Sequence, residues 1–294
     1  APNQHCHEPA LVLRTPHGTI PYRAPNSLNP PGINFQSVYN GTSGADRVVG
    51  GADNDTIYGN AGNDVINGGG GDDVVLGGDG NDIITDTSGA DVLKGGPGND
   101  AIDGGIGNDI ILGGDGQDFT VGGANDNETF GGQGNDFIMA GDGADTVLGG
   151  SGDDWIEGGS GQDLLQGDHG APFFDDPGQV APGNDIFIGQ VGENDYDAEG
   201  GDDIMESFPA IERNAGAGGF DWVASQFDTQ PANADLTINI NLLGLPLPGI
   251  VNRDRYQETE ALSGWNLNDH LMGDSLGPSA VGGAGSPGGA ALEP

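Results

Sequence analysis

Positive charge is almost missing from this chain. Seven lysines and arginines face 46 aspartates and glutamates in 294 residues, a formal net charge of -39. Such a surface repels phosphate backbones and anionic headgroups, so no nucleic acid and no acidic membrane is expected as a partner. Cysteine is scarce too: Cys6 stands alone, and no intrachain disulfide can form. No apolar run reaches the ~18 residues of a spanning helix, so no membrane span is expected. Hydrophobic residues make up 34% and aromatics 6% of the chain. That is thin for a globular core, but sufficient for an architecture whose short units each bury one side chain. Familiar catalytic signatures are missing as well. There is no His-Glu-x-x-His of a zinc protease and no Gly-x-Ser-x-Gly nucleophile elbow. Gly-x-Gly-x-x-Gly fragments arise from composition alone, without the Lys-Ser/Thr of a phosphate loop. His5-Cys6-His7-Glu8 has metal-ligand residue types, but consecutive residues rarely converge on one ion, and the segment reads as a terminal tail.

What the chain does have is glycine, 59 residues of it without a Gly-X-Y period, and a regular beat of aspartate. Asp46, Asp55, Asp64, Asp73, Asp82, Asp91, Asp100, Asp109 and Asp118 are each nine residues apart; Asn127 takes the next slot, and Asp136, Asp145, Asp154 and Asp163 complete the series. A fixed short period is the mark of a solenoid. Each unit divides in two, as in Gly95-Gly96-Pro97-Gly98-Asn99-Asp100 followed by Ala101-Ile102-Asp103. The glycine-rich half can reverse the chain tightly and aim its carbonyls at one spot. In the other half, the second residue after each aspartate is Val, Ile or Leu in 12 of 14 units, the exceptions being Thr120 and Thr129. Strand side chains alternate, so this residue points inward and its neighbours outward. The expected fold is all-β: a parallel β-roll of short strands in two sheets around a thin aliphatic core.

Such a roll has an electrostatic problem. Units two apart would stack with their aspartates ~4.8 Å from each other. Each pair then repels by ~0.9 kcal/mol in water and ~3.5 kcal/mol at an effective dielectric of 20. Over the 10 aspartate pairs of this kind, repulsion at the upper figure exceeds a typical net stability of ~5–15 kcal/mol. Cations must sit between the loops. Carboxylate and carbonyl oxygens select a hard ion, and calcium accepts more oxygens in looser geometry than magnesium. Zinc prefers the His and Cys that the repeats lack. Carboxylates repeated identically also suit structural ligation better than a glycosidase acid–base pair.

Around the array, residues 1–40 read as a Pro-rich segment ending in a leading strand, Ile33 to Tyr39. The roll proper spans 41–170. An insertion at 171–183, which contains Asp176-Pro177, precedes a degenerate register with Asp185, Asn194, Asp203, Glu212 and Asp221 again nine apart. Its inward slots, Phe187, Tyr196, Met205, Asn214 and Val223, are larger. They predict a widened or distorted continuation, or else a separate small β cap, within 171–274. Residues 236–242 alternate as a longer strand, and 264–274 look like one more unit with Asp269 and Leu271 in the key slots. Residues 275–294 form a Gly/Pro-rich tail, and a chain ending this way reads as part of a longer polypeptide.

The run Gly-Gly-x-Gly-x-Asp-x-aliphatic-x resembles the haemolysin-type, or RTX, calcium-binding repeat across 41–170. The resemblance implies a β-roll with two units per coil and Ca2+ between the loops of units n and n+2. The implied ligands are the aspartates above together with Asp185, Asp203 and Asp221, and loop carbonyls of Gly59, Gly62, Gly68, Gly77, Gly80, Gly95, Gly98, Gly104, Gly113, Gly116, Gly131, Gly134, Gly149 and Gly158. It also implies secretion from a bacterium by a one-step route and folding in extracellular calcium. A narrower likeness runs over 33–274. Ile33-Asn34-Phe35-Gln36-Ser37-Val38-Tyr39-Asn40-Gly41, the stretch Asn194 to Asp203, Gly218-Gly219-Phe220-Asp221-Trp222 and Leu262-Ser263-Gly264-Trp265 are similar to the RTX region of large secreted proteins carrying an animal-type haem peroxidase domain. The peroxidase helices have no counterpart here, so catalysis would belong to another part of the parent.

One face of the expected roll is unusual. The first outward slot on one sheet reads Val65, Ile83, Ala101, Phe119, Phe137 and Trp155. A solvated face would be polar, so this stripe predicts cover by residues 1–32 or 228–252, by another domain, or by a copy of the chain. The reading is a non-enzymatic calcium-binding module. A surface-layer or adhesion protein built from such rolls, and an enzyme with its site in 171–274, are the alternatives.

Overall fold

A computed structural model describes residues 11–15, 18–22, 37–168, 182–210, 212–225, 233–235, 255–257, 259, 261–263 and 270–272. Its architecture follows from the nine-residue unit. The inward aliphatic residue and its two neighbours form a strand, and the glycine-rich half turns the chain toward the opposite sheet. Two units make one coil, so each strand pairs in parallel with the strand 18 residues on, as in Ile66↔Ile84, Ile84↔Ile102 and Ile111↔Thr129. The coils build two sheets of eleven strands. One runs from Ser37–Asn40 through Asp55–Ala61 to Arg213–Ala215 and Arg255–Gln257. The other runs from Arg47–Val49 through Val65–Asn67 to Trp222–Ala224 and Ala261–Ser263. No helix occurs among the described residues.

The degenerate register joins the same stack. Phe187 pairs with Ile156 and Met205, and Tyr196 pairs with Leu165 and Asn214, so the sheets run on without a change of layer. Phe187 and Tyr196 are fully buried and pack ring to ring at 6.0 Å. The chain path is distorted there: partners across the insertion are 31 residues apart instead of 18. Asp168, itself buried, holds both sides of that detour by accepting the Gly183 and Gly200 amides at 3.0 and 3.3 Å. Further on, His270–Met272 pairs in parallel with Asn233–Asp235 in a separate two-stranded sheet. Asp269, His5 to Glu8, Asp176-Pro177, the proposed strand at 236–242 and the tail lie outside the described residues.

The core is one side chain thick. From Tyr39 to Ile111 and again from Ile138 to Val223, buried apolar residues form two clusters. Between them sit Thr120 and Thr129, fully buried, each with a hydroxyl that finds no hydrogen-bond partner. A buried unpaired hydroxyl costs about 1–3 kcal/mol. Thr120→Val and Thr129→Val should therefore each stabilise the calcium-loaded roll by about 1 kcal/mol, as measured by urea unfolding at saturating calcium. Unchanged or lowered midpoints would show that these hydroxyls have partners in solution.

The outward stripe is a stacked row. Phe119 lies on Phe137 at 5.5 Å between centroids, and Phe137 on Trp155 at 5.8 Å, the rings of both pairs nearly parallel. Ile83 and Phe119 are exposed, whereas Val65, Ala101, Phe137 and Trp155 are half-buried. Each ring thus gains its shelter from the ring one coil away, a specific contribution of roughly 0.5–1.5 kcal/mol per pair. The segments expected to cover it, 1–32 and 228–252, are described only as the backbone strands Leu11–Thr15, Gly18–Tyr22 and Asn233–Asp235.

Candidate metal centre

Each sixth-position aspartate stands where a loop enters its strand and is buried in the roll. Asp64, Asp73, Asp82, Asp91, Asp100 and Asp109 are no more than 2% exposed. Their two carboxylate oxygens have separate duties. Oδ1 accepts the amide of the same slot one coil earlier: Asp82 N–H donates to Asp100 at 2.7 Å and Asp100 N–H to Asp118 at 2.8 Å. This ladder spans the insertion, where Asp154 N–H donates to Asp185 at 2.8 Å, and reaches Asp203 donating to Asp221 at 3.1 Å. Oδ2 is different. From Asp64 through Asp163 every aspartate of the series leaves this atom buried without a hydrogen bond, and so does Asp185.

The orphaned oxygens do not face apolar walls. A Cβ added at Gly113 would meet Asp118 Oδ2 and the Gly131 carbonyl oxygen, both at 2.5 Å. The same pair, a carboxylate from one loop and a first-position carbonyl from the loop two units on, flanks Gly59, Gly77, Gly95, Gly104, Gly131, Gly149 and Gly158. The fourth-position glycines make the turn. Gly62, Gly80, Gly98, Gly116 and Gly134 have positive φ, and a side chain there would strike the loop backbone one coil earlier. An oxygen-only cradle that leaves no room for a methyl group, lined by an unpaired buried carboxylate, fits a hard cation.

Burial also raises the proton affinity of these groups. Desolvation, opposed by the backbone hydrogen bond and reinforced by neighbouring carboxylates, moves Asp100 and Asp136 to about 7 and Asp154 and Asp185 to about 8. These folded values lie above the ordinary 3.8, so without a cation the folded chain binds more protons than the unfolded one. The linked stability is present in full below the ordinary value and is lost as pH rises through about 6 to 8. In chelator, the chain should gain β-sheet circular dichroism as pH falls from 8 toward 5. In calcium the sign reverses, because protons compete for the ligands, and the calcium midpoint should rise over the same range. A calcium midpoint that does not move with pH would refute the linkage.

The two edges of the roll are unequal. One carries an unbroken row, Asp46, Asp64, Asp82, Asp100, Asp118, Asp136, Asp154, Asp185, Asp203 and Asp221. Every lapse, Asn127, Asn194 and Glu212, falls on the other. At Asn127 the backbone does not break. Asn125 takes the fourth-position turn at φ 79, a left-handed conformation that asparagine tolerates. Asn127 keeps the ladder with Oδ1, but its Nδ2 donates to the Asn125 carbonyl at 2.8 Å and points toward Gly122, where a carboxylate oxygen would be. Asn127→Asp should therefore raise the number of calcium ions bound by one, measured by equilibrium dialysis with elemental analysis. An unchanged count would show that the asparagine site already holds an ion. At Asn194 the cradle is filled by protein: Tyr196 Oη accepts the Gly189 amide at 3.1 Å and donates to the Glu206 carbonyl at 3.0 Å. At the start of the roll, Asp46 and Asp55 also differ from their successors. Their Oδ2 atoms accept from Thr42 and from the Gly51 amide at 2.7 Å.

Two further sets of residues belong to this machinery without being sixth-position aspartates. Fifth-position Asn63, Asn81 and Asn99 accept the amides of residues 81, 99 and 117 at 3.0–3.1 Å, an exposed ladder running opposite to the aspartate one. The recurrence of asparagine in that slot was the available signal. Asp86 is the second, and its signal was a first position without glycine.

The repeat model for the RTX calcium-binding nonapeptide repeat matches residues 40–75, 76–111, 98–128, 130–168 and 179–205. Comparison with curated proteins gives no match. No helix among the described residues is long and apolar enough to cross a membrane. The repeats span more than half of the sequence, and the chain belongs to the RTX calcium-binding nonapeptide repeat family, with a β-roll that binds calcium.

Proposed function

We propose that the chain is a calcium-gated folding module of a secreted bacterial protein, extended inside the cell and closed by calcium outside it. The carrying observation is the run of buried Oδ2 atoms without a hydrogen bond, which beside Gly59, Gly77, Gly95, Gly104, Gly113, Gly131, Gly149 and Gly158 face a carbonyl oxygen from the loop two units on. The ligands of this reading are the sixth-position aspartates from Asp64 onward, with the first-position glycine carbonyls. Calcium then supplies the positive charge that seven basic residues cannot, while the chain supplies oxygens held in register by the Oδ1 ladder. Asp46 and Asp55 are weaker ligands here, because their own loops already occupy them. Anomalous scattering from crystals grown in calcium tests the assignment. Ions between successive loops on the Asp46 to Asp221 edge support it, and ions confined to the surface overturn it.

The division of labour follows the same logic. Residues 41–170 bind most of the ions, 171–274 extend and close the stack, and 1–40 and 275–294 connect it to the rest of a longer polypeptide. The segments similar to haem-peroxidase-associated RTX regions support a parent of that kind, with catalysis outside this chain. A haem absorbance band in the intact native product is the expected result; an intact product of this length without haem would overturn the peroxidase parent. The half-exposed row Phe119, Phe137 and Trp155 is the face on which a neighbouring domain or a second copy would rest.

A further inference from the structure

The sixth unit, Asp86-Thr87-Ser88-Gly89-Ala90-Asp91, opens with an aspartate where its neighbours open with glycine. Oδ1 of Asp86 accepts the Thr87 and Ser88 amides at 2.5 and 2.9 Å, which pins the carboxylate against its own turn. Oδ2 is thereby directed inward. The residue is 6% exposed, and this atom is buried and receives no hydrogen bond. Its neighbours are Asp73 and Asp91, each 1% exposed with an Oδ2 in the same state. Ligand oxygens of the three residues lie within 4.8 Å of one another.

Comparison with the regular cradles shows what has changed. Beside Gly113 the two flanking oxygens are the Asp118 carboxylate and the Gly131 carbonyl. Beside Gly68 they are Asp73 Oδ2, 2.7 Å from where a Cβ would stand, and, closer still, Asp86 Oδ2. A charged oxygen has replaced a neutral carbonyl at the same place. Calcium affinity rises with the number of charged ligands, and that number is greater here.

We propose that Asp73, Asp86 and Asp91 form a three-carboxylate calcium site, tighter than the others and the first to fill as calcium rises. This rests on the reading of the aspartate loops as calcium sites, and adds that one of them is set apart. The test is a calcium isotherm of the full chain by equilibrium dialysis, with Asp86→Asn and Asp86→Gly beside the native sequence. The native chain should bind one ion at free calcium about tenfold below the rest. Asp86→Asn should lose that class. Asp86→Gly, which restores a regular unit, should lose it while keeping the total number of ions. Superimposable native and Asp86→Gly isotherms would overturn the proposal but leave the calcium function standing, whereas a native chain that binds no calcium overturns both. Terbium, a trivalent oxygen-seeking ion, gives a readout independent of how the variants fold. Added to the calcium-loaded native chain, it should displace one ion ahead of the others, and displacement of all ions in one step counts against a distinct site.

Discussion

With calcium removed by a chelator, the chain should lose most of its β-sheet circular dichroism. Millimolar calcium should restore the signal, and the same concentration of magnesium should restore much less. The expectation rests on where the carboxylates are. Asp64 to Asp163 are buried in two columns, their Oδ2 atoms without donors and their neighbours one coil away carrying the same charge. Repulsion of about 1–3.5 kcal/mol per stacked pair opposes a net stability of about 5–15 kcal/mol. The opposing cohesion is small, since each strand buries one aliphatic side chain. Ion binding is therefore folding free energy in this chain. Magnesium is the informative control because its charge is the same; it demands stricter octahedral geometry and gives up water reluctantly. A chelated chain with full β content would sink the mechanism, and equal rescue by magnesium would show that charge neutralisation alone is enough.

Gly95→Ala should raise the calcium needed for folding and destabilise the loaded roll by roughly 1–3 kcal/mol. The backbone at Gly95 is not left-handed, so the effect does not come from φ. It comes from what the methyl group meets: the Gly113 carbonyl oxygen at 2.7 Å and the Asp100 carboxylate closer still. These are two oxygens of one cradle, neither of which can retreat without leaving its ladder. Alanine ordinarily stabilises relative to glycine by narrowing the unfolded ensemble, so a net loss points at the site. Gly44→Ala is the matched control, because its nearest contact would be Thr42 Oγ1 at 4.0 Å, and it should change stability by less than about 0.5 kcal/mol. Calcium titrations of the two variants, followed by circular dichroism, check the pair. Equal midpoints would show that the first-position glycine serves the turn and not the ion.

Much of this was legible beforehand because a roll repeats one local rule. The nine-residue beat set the coil, and the inward residues Ile57, Ile66, Val75 and Ile84 are all fully buried as alternation required. The aspartate columns followed from the same count. Where side-chain chemistry acts between coils, the pattern was silent. It did not show that Asp46 is satisfied by Thr42, or that the Tyr196 hydroxyl fills the place of an ion. Asn125 stands where most units have glycine, yet asparagine enters the left-handed region that the turn needs. Asp86 looked like one acidic residue among many until the coil brought it beside Asp73 and Asp91. The stacking of Phe119, Phe137 and Trp155 likewise arises from the rise between coils.

The gap between the two apolar clusters bears on cooperativity. In a one-dimensional stack each coil is held only by its neighbours, so stability is a chain of nearest-neighbour couplings. Thr120 and Thr129 weaken the coupling in the coils where Asn127 also withholds a charge from the ion column. The roll is therefore two blocks joined at a soft seam, and the long native sheets need not melt as one. As free calcium falls, the seam should open before either block frays to its centre, leaving half-rolls that swing on residues 118–130. Hydrogen exchange would see them as separate opening units.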